Sequence, residues 1–166
     1  MTPEIDILIE AEAWAALADL ESLTQDCVAA SVKGSGARLA PGCELSVTFC
    51  DDKTIAELNA RWRSKAGPTN VLSFPTPGQL SARPLLGDIV IAYETVAREA
   101  TEQDKKLRDH TAHMVIHGFL HLIGYDHETP AEAEAMEALE RGIATAMGLA
   151  DPYADDTHEA GAQGAG

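Results

Sequence analysis

The sequence predicts an α+β fold, a small mixed four-stranded sheet packed with helices in a single domain. Four short stretches have strand character, and they are interleaved with longer stretches whose apolar residues recur every three or four positions. Because helical patterns alternate with strands along the chain, we expect a mixed sheet covered by helices. The chain has 166 residues, of which 45% are hydrophobic, which suits one globular core.

The first half of the chain is predicted to contain three strands. A short strand covers residues 5–9, and a helix follows over residues 11–32. This helix carries an apolar stripe formed by Trp14, Leu17, Leu20 and Leu23. Residues 43–50 alternate between apolar and polar side chains, which is typical of a strand. Residues 71–74 form a third strand, which ends at Pro75 because proline cannot donate a ladder hydrogen bond.

Four helical patterns and one more strand complete the prediction. Asp51 or Asp52 caps a helix before the third strand, and its apolar positions are Ile55, Leu58 and Trp62. The fourth strand covers residues 88–92, and helices follow over residues 94–103, 107–123 and 130–147. The helix at 107–123 is apolar around much of its circumference, so we expect it to be central. The predicted domain is therefore 1–150, followed by a disordered acidic tail over 151–166.

The distribution of charge matters more than the net charge of −15. Residues 1–26 carry seven acids and no base, whereas residues 27–127 carry eleven residues of each sign. Two groups of cations lie in this balanced segment, namely Arg61, Arg63 and Lys65, and Lys105, Lys106 and Arg108. They are either solvated helix ends or a local patch that binds a polyanion with strong salt dependence.

Cysteine usage and hydropathy favour a cytoplasmic protein. Cys27, Cys43 and Cys50 are odd in number and lack the CxxC spacing of a metal or redox site, so they are expected to be reduced thiols. No apolar stretch approaches the length of a membrane span, and we expect no membrane partner. The N-terminal segment has no basic region of the kind that begins a signal peptide.

Three histidines in the segment HGFLHLIGYDH are the strongest candidates for chemistry. His117 and His121 are four residues apart, so on a helix they share one face with Cβ atoms about 6 Å apart. Gly124 tolerates the left-handed conformation that reverses the chain, which allows His127 to return as a third ligand. Three imidazoles suit one zinc ion and leave a coordination position for water, as in catalytic sites. The alternative is that all three are ordinary core residues.

Other polar residues near this segment have alternative roles. His113 lies one turn before His117. Histidines on three successive turns of one helix cannot easily bind one ion, since each is displaced about 6 Å along the helix axis from the one before it. We therefore expect His113 to contact a ligand or the substrate rather than the ion. Asp126 either orients an imidazole through its free N–H or caps the preceding turn. His110 and His158 are expected to be exposed to solvent.

The spacing H-x-x-x-H-x-x-G-x-x-H is similar to the zinc-binding segment of the metzincin proteases. Those proteases carry a glutamate directly after the first histidine, and it activates the attacking water. Gly118 stands at that position here. A metalloprotease is therefore the third choice among the functions considered, because it would lack its general base.

Several segments together resemble the YbeY endoribonuclease family of bacteria, also called the rRNA maturation factors. The matching segments are ELNARWR (57–63), PTNVLSFP (68–75), LGDIVI (86–91), AHMVIHG (112–118) and HGFLHLIGYDH (117–127), and the resemblance covers about residues 5–153. It implies a single α+β domain with a zincin-like metal helix. It also implies one Zn²⁺ ion bound by three histidines, which here are His117, His121 and His127.

The resemblance further places a functional arginine on Arg63. At the end of a helix, its planar guanidinium can bind a phosphate through two hydrogen bonds. Arg61 points about 200° away around the helix and should not replace it. Many family members carry an acid shortly after this arginine, where the present chain has Ala66. A metal or water role for an acid at that point is therefore not expected here.

The function implied by the resemblance is a single-strand-specific, zinc-dependent endoribonuclease. It would act in ribosomal RNA processing, including the 3′ end of the small-subunit RNA, and in ribosome quality control. The implied partners are single-stranded rRNA, the small ribosomal subunit, and a small-subunit ribosomal protein or a ribosome-associated GTPase. The main alternative is a ribosome-assembly binding factor whose zinc is mainly structural.

Overall fold

Four strands form one mixed sheet in the computed structural model, which describes residues 2–154. The strands are β1 (Glu4–Ile9), β2 (Glu44–Cys50), β3 (Val71–Pro75) and β4 (Leu85–Ala92). Their order across the sheet is β1-β2-β4-β3, with β1, β2 and β4 parallel and β3 antiparallel to β4. The predicted α+β class and the small mixed sheet are confirmed.

Helices cover both faces of this sheet. Within the described chain they are α1 (Leu20–Ser35), α2 (Asp52–Arg63), α3 (Tyr93–Glu102), α4 (Leu107–Leu122) and α5 (Pro130–Ala146). Alternate residues of β4 point to opposite faces. Val90 packs with Ile55 of α2 on one face. Ile89 belongs to the larger core on the other face, together with buried residues of α1, α4 and α5.

Helix α4 is central, as its apolar sequence predicted. It contacts α1, α3 and α5 as well as strands β3 and β4. Its buried residues include Val115, Ile116, Phe119 and Leu120, each at most 1% exposed. Since α4 carries three of the candidate site histidines, the site is built on one of the most constrained elements of the fold.

The predicted helix over residues 11–32 is wrong in its first part. Residues Glu12–Ala16 form a short 3₁₀ turn, Leu17 is extended, and α1 begins only at Leu20. The indole N–H of Trp14 donates to the carbonyl of Cys50 at 2.9 Å, and its ring packs edge-on against Phe49. Because these contacts hold Trp14 at the end of β2, tertiary packing overrides the local helical pattern.

The segment after α5 also differs from expectation where it is described. Residues 151–154, predicted as the start of a disordered tail, pack against the helices. Pro152 is buried and accepts a hydrogen bond from the Lys105 ammonium, and the Tyr153 hydroxyl donates to Glu140. The remainder of the predicted tail, residues 155–166, lies outside the described residues.

Two further features concern the cysteines and the length of the helices. Cys27, Cys43 and Cys50 are all buried and free, and burial raises the pKa of the Cys27 thiol to about 12. Among residues 2–154, no helix combines the length and the apolar content that a membrane span requires.

Candidate metal centre

The candidate site is built where α4 ends and the chain reverses. Helix α4 stops at Leu122, and Gly124 has a φ of 109°, which a residue with a Cβ rarely adopts. The N–H of Gly124 donates to the carbonyl of His121 at 3.1 Å, and the N–H of Tyr125 donates to that of Leu120 at 3.0 Å. This turn brings His127 back towards α4, as the glycine predicted.

The structure brings His117, His121 and His127 together. Each offers a ring nitrogen, and the three nitrogens lie within 4.8 Å of one another. The Nε2 atoms of His117 and His121 are 3.2 Å apart. The ring of His127 lies 5.0 Å from that of His121 and 5.7 Å from that of His117, between centroids. His127 is exposed, so an ion or a substrate can reach the cluster from solvent.

The protonation of His121 suits metal binding. Burial, and next the neighbouring His117 and His127, lower the pKa of His121 to about 4. The imidazole is therefore neutral near pH 7 and keeps a lone pair for a cation. Neutral imidazoles converging on one point form the donor set that zinc prefers.

Glu140 of α5 supports the cluster from behind. Its side chain is 1% exposed and accepts hydrogen bonds from Nε2 of His113 and from Nδ1 of His117, both at 2.7 Å. Burial alone would raise the pKa of Glu140, but the hydrogen bonds from both histidines hold it well below its usual range. With Nδ1 of His117 bound to this carboxylate, Nε2 is the nitrogen directed to the cluster. Metal-binding histidines are commonly oriented by a carboxylate in this way.

Glu140 was not among the residues predicted from the sequence, although a signal for it existed. The buried residues of α5 are Met136, Glu140, Ile143 and Ala144, which share one helical stripe. A single glutamate in an apolar stripe is costly to bury without a partner. Such a position therefore indicates a buried acid that binds another polar group.

The other polar candidates fall in separate places. His113 is 12% exposed and faces Glu140, outside the group of three histidines. Asp126 accepts the backbone N–H of His127 at 2.8 Å, which is the local turn role rather than a contact to an imidazole ring. His110 is 3% exposed and bonds Glu99 of α3 at 2.9 Å, so its predicted exposure is wrong. His158 lies outside the described residues.

Arg63 is linked to helix α4 through β3. Its guanidinium donates to the carbonyl of Ser73 and lies 5.3 Å from the ring of Phe74. The Ser73 hydroxyl in turn donates to the carbonyl of Gly118 at 2.9 Å, next to His117 in sequence. The Arg63 side chain remains exposed, so it can still bind an anion.

The position of Gly118 explains the missing glutamate. A Cβ at this residue would lie 2.7 Å from Cγ2 of Ile89 and 3.2 Å from Oγ of Ser73. Helix α4 therefore contacts the sheet too closely for any side chain at this point. A protease-like glutamate cannot be accommodated here without moving α4 away from β3 and β4.

The family model described as "Endoribonuclease YbeY" matches residues 8–148. The chain belongs to the YbeY endoribonuclease family. Four of the five segments that resembled this family lie on α4 and the turn after it, or on β3 and β4, which contact α4. The fifth lies on α2, whose Arg63 donates to Ser73 of β3.

Individual relatives agree with membership of the YbeY family. The protein named Endoribonuclease YbeY from Methylocella silvestris is 55% identical over 153 residues, covering 92% of this chain and 87% of that protein. Its namesake from Agrobacterium fabrum is 48% identical over 160 residues, covering 91% of this chain and 95% of that protein. The solution structure of TM1509 from Thermotoga maritima shares the fold, with a TM-score of 0.55, 23% identity, and coverage of 97% of this chain and 99% of that chain.

Proposed function

We propose that this protein is a zinc-dependent endoribonuclease that cleaves single-stranded RNA during ribosomal RNA processing. The processing would include the 3′ end of the small-subunit RNA and would extend to ribosome quality control in the cytoplasm. The observation that carries the proposal is the converging cluster of His117, His121 and His127 in a chain that belongs to an endoribonuclease family.

The residues present fit a zinc ion. The three imidazoles offer ring nitrogens as ligands, and Glu140 accepts the hydrogen bond from Nδ1 of His117. When bound there, a divalent cation supplies positive charge that polarises a phosphoryl oxygen. Three protein ligands are the number found in catalytic rather than structural zinc sites. This count favours an enzyme over an assembly factor with a structural zinc.

Arg63 supplies the second positive charge in the proposal. Its guanidinium can donate two parallel hydrogen bonds to a phosphate and stabilise charge on the non-bridging oxygens. Its contact with Ser73 holds it beside the strand that packs on α4. The scissile phosphate would therefore lie between Arg63 and the histidine cluster, in a cleft shared with residues 63–74.

The test combines metal analysis with RNA cleavage by the purified protein. We expect one zinc per chain, and cleavage of single-stranded RNA that stops on addition of a chelator and returns with zinc. The variants His117→Ala, His121→Ala and His127→Ala should each lose zinc and activity. Retention of stoichiometric zinc by two of these variants would show that the ligands are misassigned. Zinc without any RNA cleavage would favour the assembly-factor alternative, and casein cleavage would favour a protease.

A further inference from the structure

Trp62 is directed to solvent although the sequence pattern placed it with the apolar residues of α2. Ile55 of the same helix is fully buried, whereas Trp62 is 60% exposed. Among the described residues, it is the most exposed of the large hydrophobic side chains. The other tryptophan, Trp14, is 1% exposed. Packing within this domain therefore does not account for an indole at position 62.

The end of α2 presents this ring on a fixed backbone. Ser64 ends the helix with a φ of 55°, and the N–H of Lys65 donates to the carbonyl of Asn59 at 3.2 Å. The side chain of Asn59 is 5% exposed and donates to the carbonyl of Gly67 at 3.0 Å. Because the last turn and the following loop are fastened together, a ligand stacking on Trp62 would pay little to order the backbone.

The segment that contains Trp62 carries a charge opposite to that of the whole chain. Residues 58–87 contain no Asp or Glu and carry four cations, Arg61, Arg63, Lys65 and Arg83, whereas the chain as a whole has a net charge of −15. Within residues 2–154, Arg61, Arg63 and Lys65 form no ion pair, and all three are exposed. This segment is therefore complementary to a polyanion and not to a basic surface.

Two of these cations lie against aromatic rings, Arg61 against Trp62 and Arg63 against Phe74. The guanidinium carbon of Arg61 lies 5.1 Å from the ring centroid of Trp62, and that of Arg63 lies 5.3 Å from the ring of Phe74. Aromatic side chains interleaved with cations are how proteins bind single-stranded nucleic acid, because bases stack on the rings while cations contact the phosphates. A base inside a duplex is already stacked on both faces by its neighbours, so a single strand is the better fit.

We infer that Trp62 is a base-stacking platform for single-stranded RNA, with Arg61 and Lys65 on the flanking phosphates. The inference rests on the proposed endoribonuclease function and names a subsite of it. Trp62 is next to Arg63, so a base stacked there belongs to a nucleotide close to the phosphate that Arg63 binds. Stacking on Trp62 would position the RNA strand relative to the histidine cluster without discriminating between bases.

The test compares binding of two probes that carry the same charge. One is an oligouridylate of about 12 nucleotides, a length within the range of single-strand sites, and the other is an abasic ribose-phosphate chain of that length. Affinities of the zinc-loaded protein are measured on ice by fluorescence anisotropy, and gels verify that the RNA stays intact. Trp62→Ala should weaken binding of the oligouridylate about 5- to 100-fold and leave binding of the abasic chain unchanged. Trp62→Phe should recover most of the affinity.

Intrinsic tryptophan fluorescence of the wild-type protein gives a second readout that does not depend on Trp62→Ala being folded. Oligouridylate should quench the emission of exposed Trp62, and the abasic chain should not. In Trp62→Phe the remaining emission comes from buried Trp14 and should not respond. Ile9→Ala is the matched control, because Ile9 is also an exposed hydrophobic residue, 46% exposed, on the opposite edge strand β1.

The stacking role of Trp62 is wrong if Trp62→Ala binds oligouridylate as tightly as the wild type does. It is also wrong if this variant loses affinity equally for oligouridylate and for the abasic chain. If that variant binds RNA normally but no longer co-sediments with small ribosomal subunits, the surface contacts a protein and the inference is also wrong. Cleavage by the wild type tests the proposed function separately. If the protein binds oligouridylate more tightly than the abasic chain but does not cleave RNA, the proposed nuclease function is wrong and the stacking role of Trp62 stands. If it cleaves RNA but binds both probes equally, only the stacking role of Trp62 is wrong.

Discussion

Glu140 decides which nitrogen of His117 faces the other two histidines, because its carboxylate accepts the hydrogen bond from Nδ1. An amide at this position keeps the shape but loses the negative charge, and it can accept through only one of its two atoms. Glu140→Gln should therefore weaken zinc affinity about 10- to 100-fold. Competition with a chromophoric chelator measures this change directly, without reference to RNA cleavage.

Glu137→Gln is the control for this prediction, since Glu137 is on the same helix but exposed. It should bind zinc as the wild type does. The assigned role of Glu140 is wrong if Glu140→Gln binds zinc as tightly as Glu137→Gln while both give the circular dichroism spectrum of the wild type.

Substitution of Arg63, also a single-residue change, tests the proposed role of its guanidinium in RNA cleavage. Arg63→Ala should lower the single-turnover rate of RNA cleavage by about 10²- to 10³-fold, because a charge-assisted contact to the transition state is lost. Zinc content should stay at the wild-type level, since the side chain contacts Ser73 and Phe74 rather than the histidines. Arg63→Lys should recover little, because a single ammonium cannot copy the planar guanidinium.

Arg38→Ala is the charge-matched control, because Arg38 is exposed in the loop between α1 and β2. Its cleavage rate should match that of the wild type. If Arg63→Ala cuts as fast as Arg38→Ala, the phosphate must be held by another group.

At the scale of elements, the distance between α4 and the sheet depends on Gly118. An alanine there would place its Cβ 2.7 Å from Ile89 and 3.2 Å from Ser73. Overpacking of this kind costs about 1–3 kcal/mol, which outweighs the gain of about 0.5–1 kcal/mol that alanine brings inside a helix. Gly118→Ala should therefore lower the free energy of unfolding. Because His117 precedes this residue, the same variant should also weaken zinc binding. Chemical denaturation and chelator competition measure the two effects.

Gly142→Ala is the matched control within α5, since a Cβ at Gly142 would meet no atom within 4 Å. Here alanine should raise the free energy of unfolding by about 0.5–1 kcal/mol, because glycine is unfavourable inside a helix. Equal effects of the two substitutions would mean that contact with the sheet does not constrain α4.

At the scale of the whole molecule, the histidine cluster joins the end of α4 to the segment that leads into α5. A zinc ion bound there would stabilise only the folded chain, because the three imidazoles converge only after folding. Zinc at 100 times its dissociation constant should add about 2.7 kcal/mol to the free energy of unfolding. Thermal unfolding with and without a chelator measures this contribution.

The variant His121→Ala is the reference for this measurement. Its Tm should not respond to the chelator, since it lacks one of the three imidazoles that converge in the folded protein. A chelator-induced fall in Tm of the same size in this variant would place the stabilising metal elsewhere in the molecule.

Much of this architecture was determined by the sequence alone, because the signals are local. Alternation over residues 43–50 and the apolar helix at 107–123 predicted elements that the structure confirms as β2 and α4. The four-residue spacing of His117 and His121 and the reversal at Gly124 predicted a three-histidine cluster. Helical periodicity and the freedom of glycine are properties of the backbone, so they can be predicted without knowing what lies opposite.

Only the tertiary structure decided the features that depend on distant partners. Trp14 lies outside the predicted helix because it contacts Cys50 and Phe49. Trp62 is exposed to solvent, although its position in the helical repeat matches that of buried Ile55. Glu140 is 23 residues from His117 in sequence, and the two meet only because α5 packs on α4. Which face of a helix is covered, and which polar group a buried side chain finds, depends on packing between elements, and local periodicity contains no information about that.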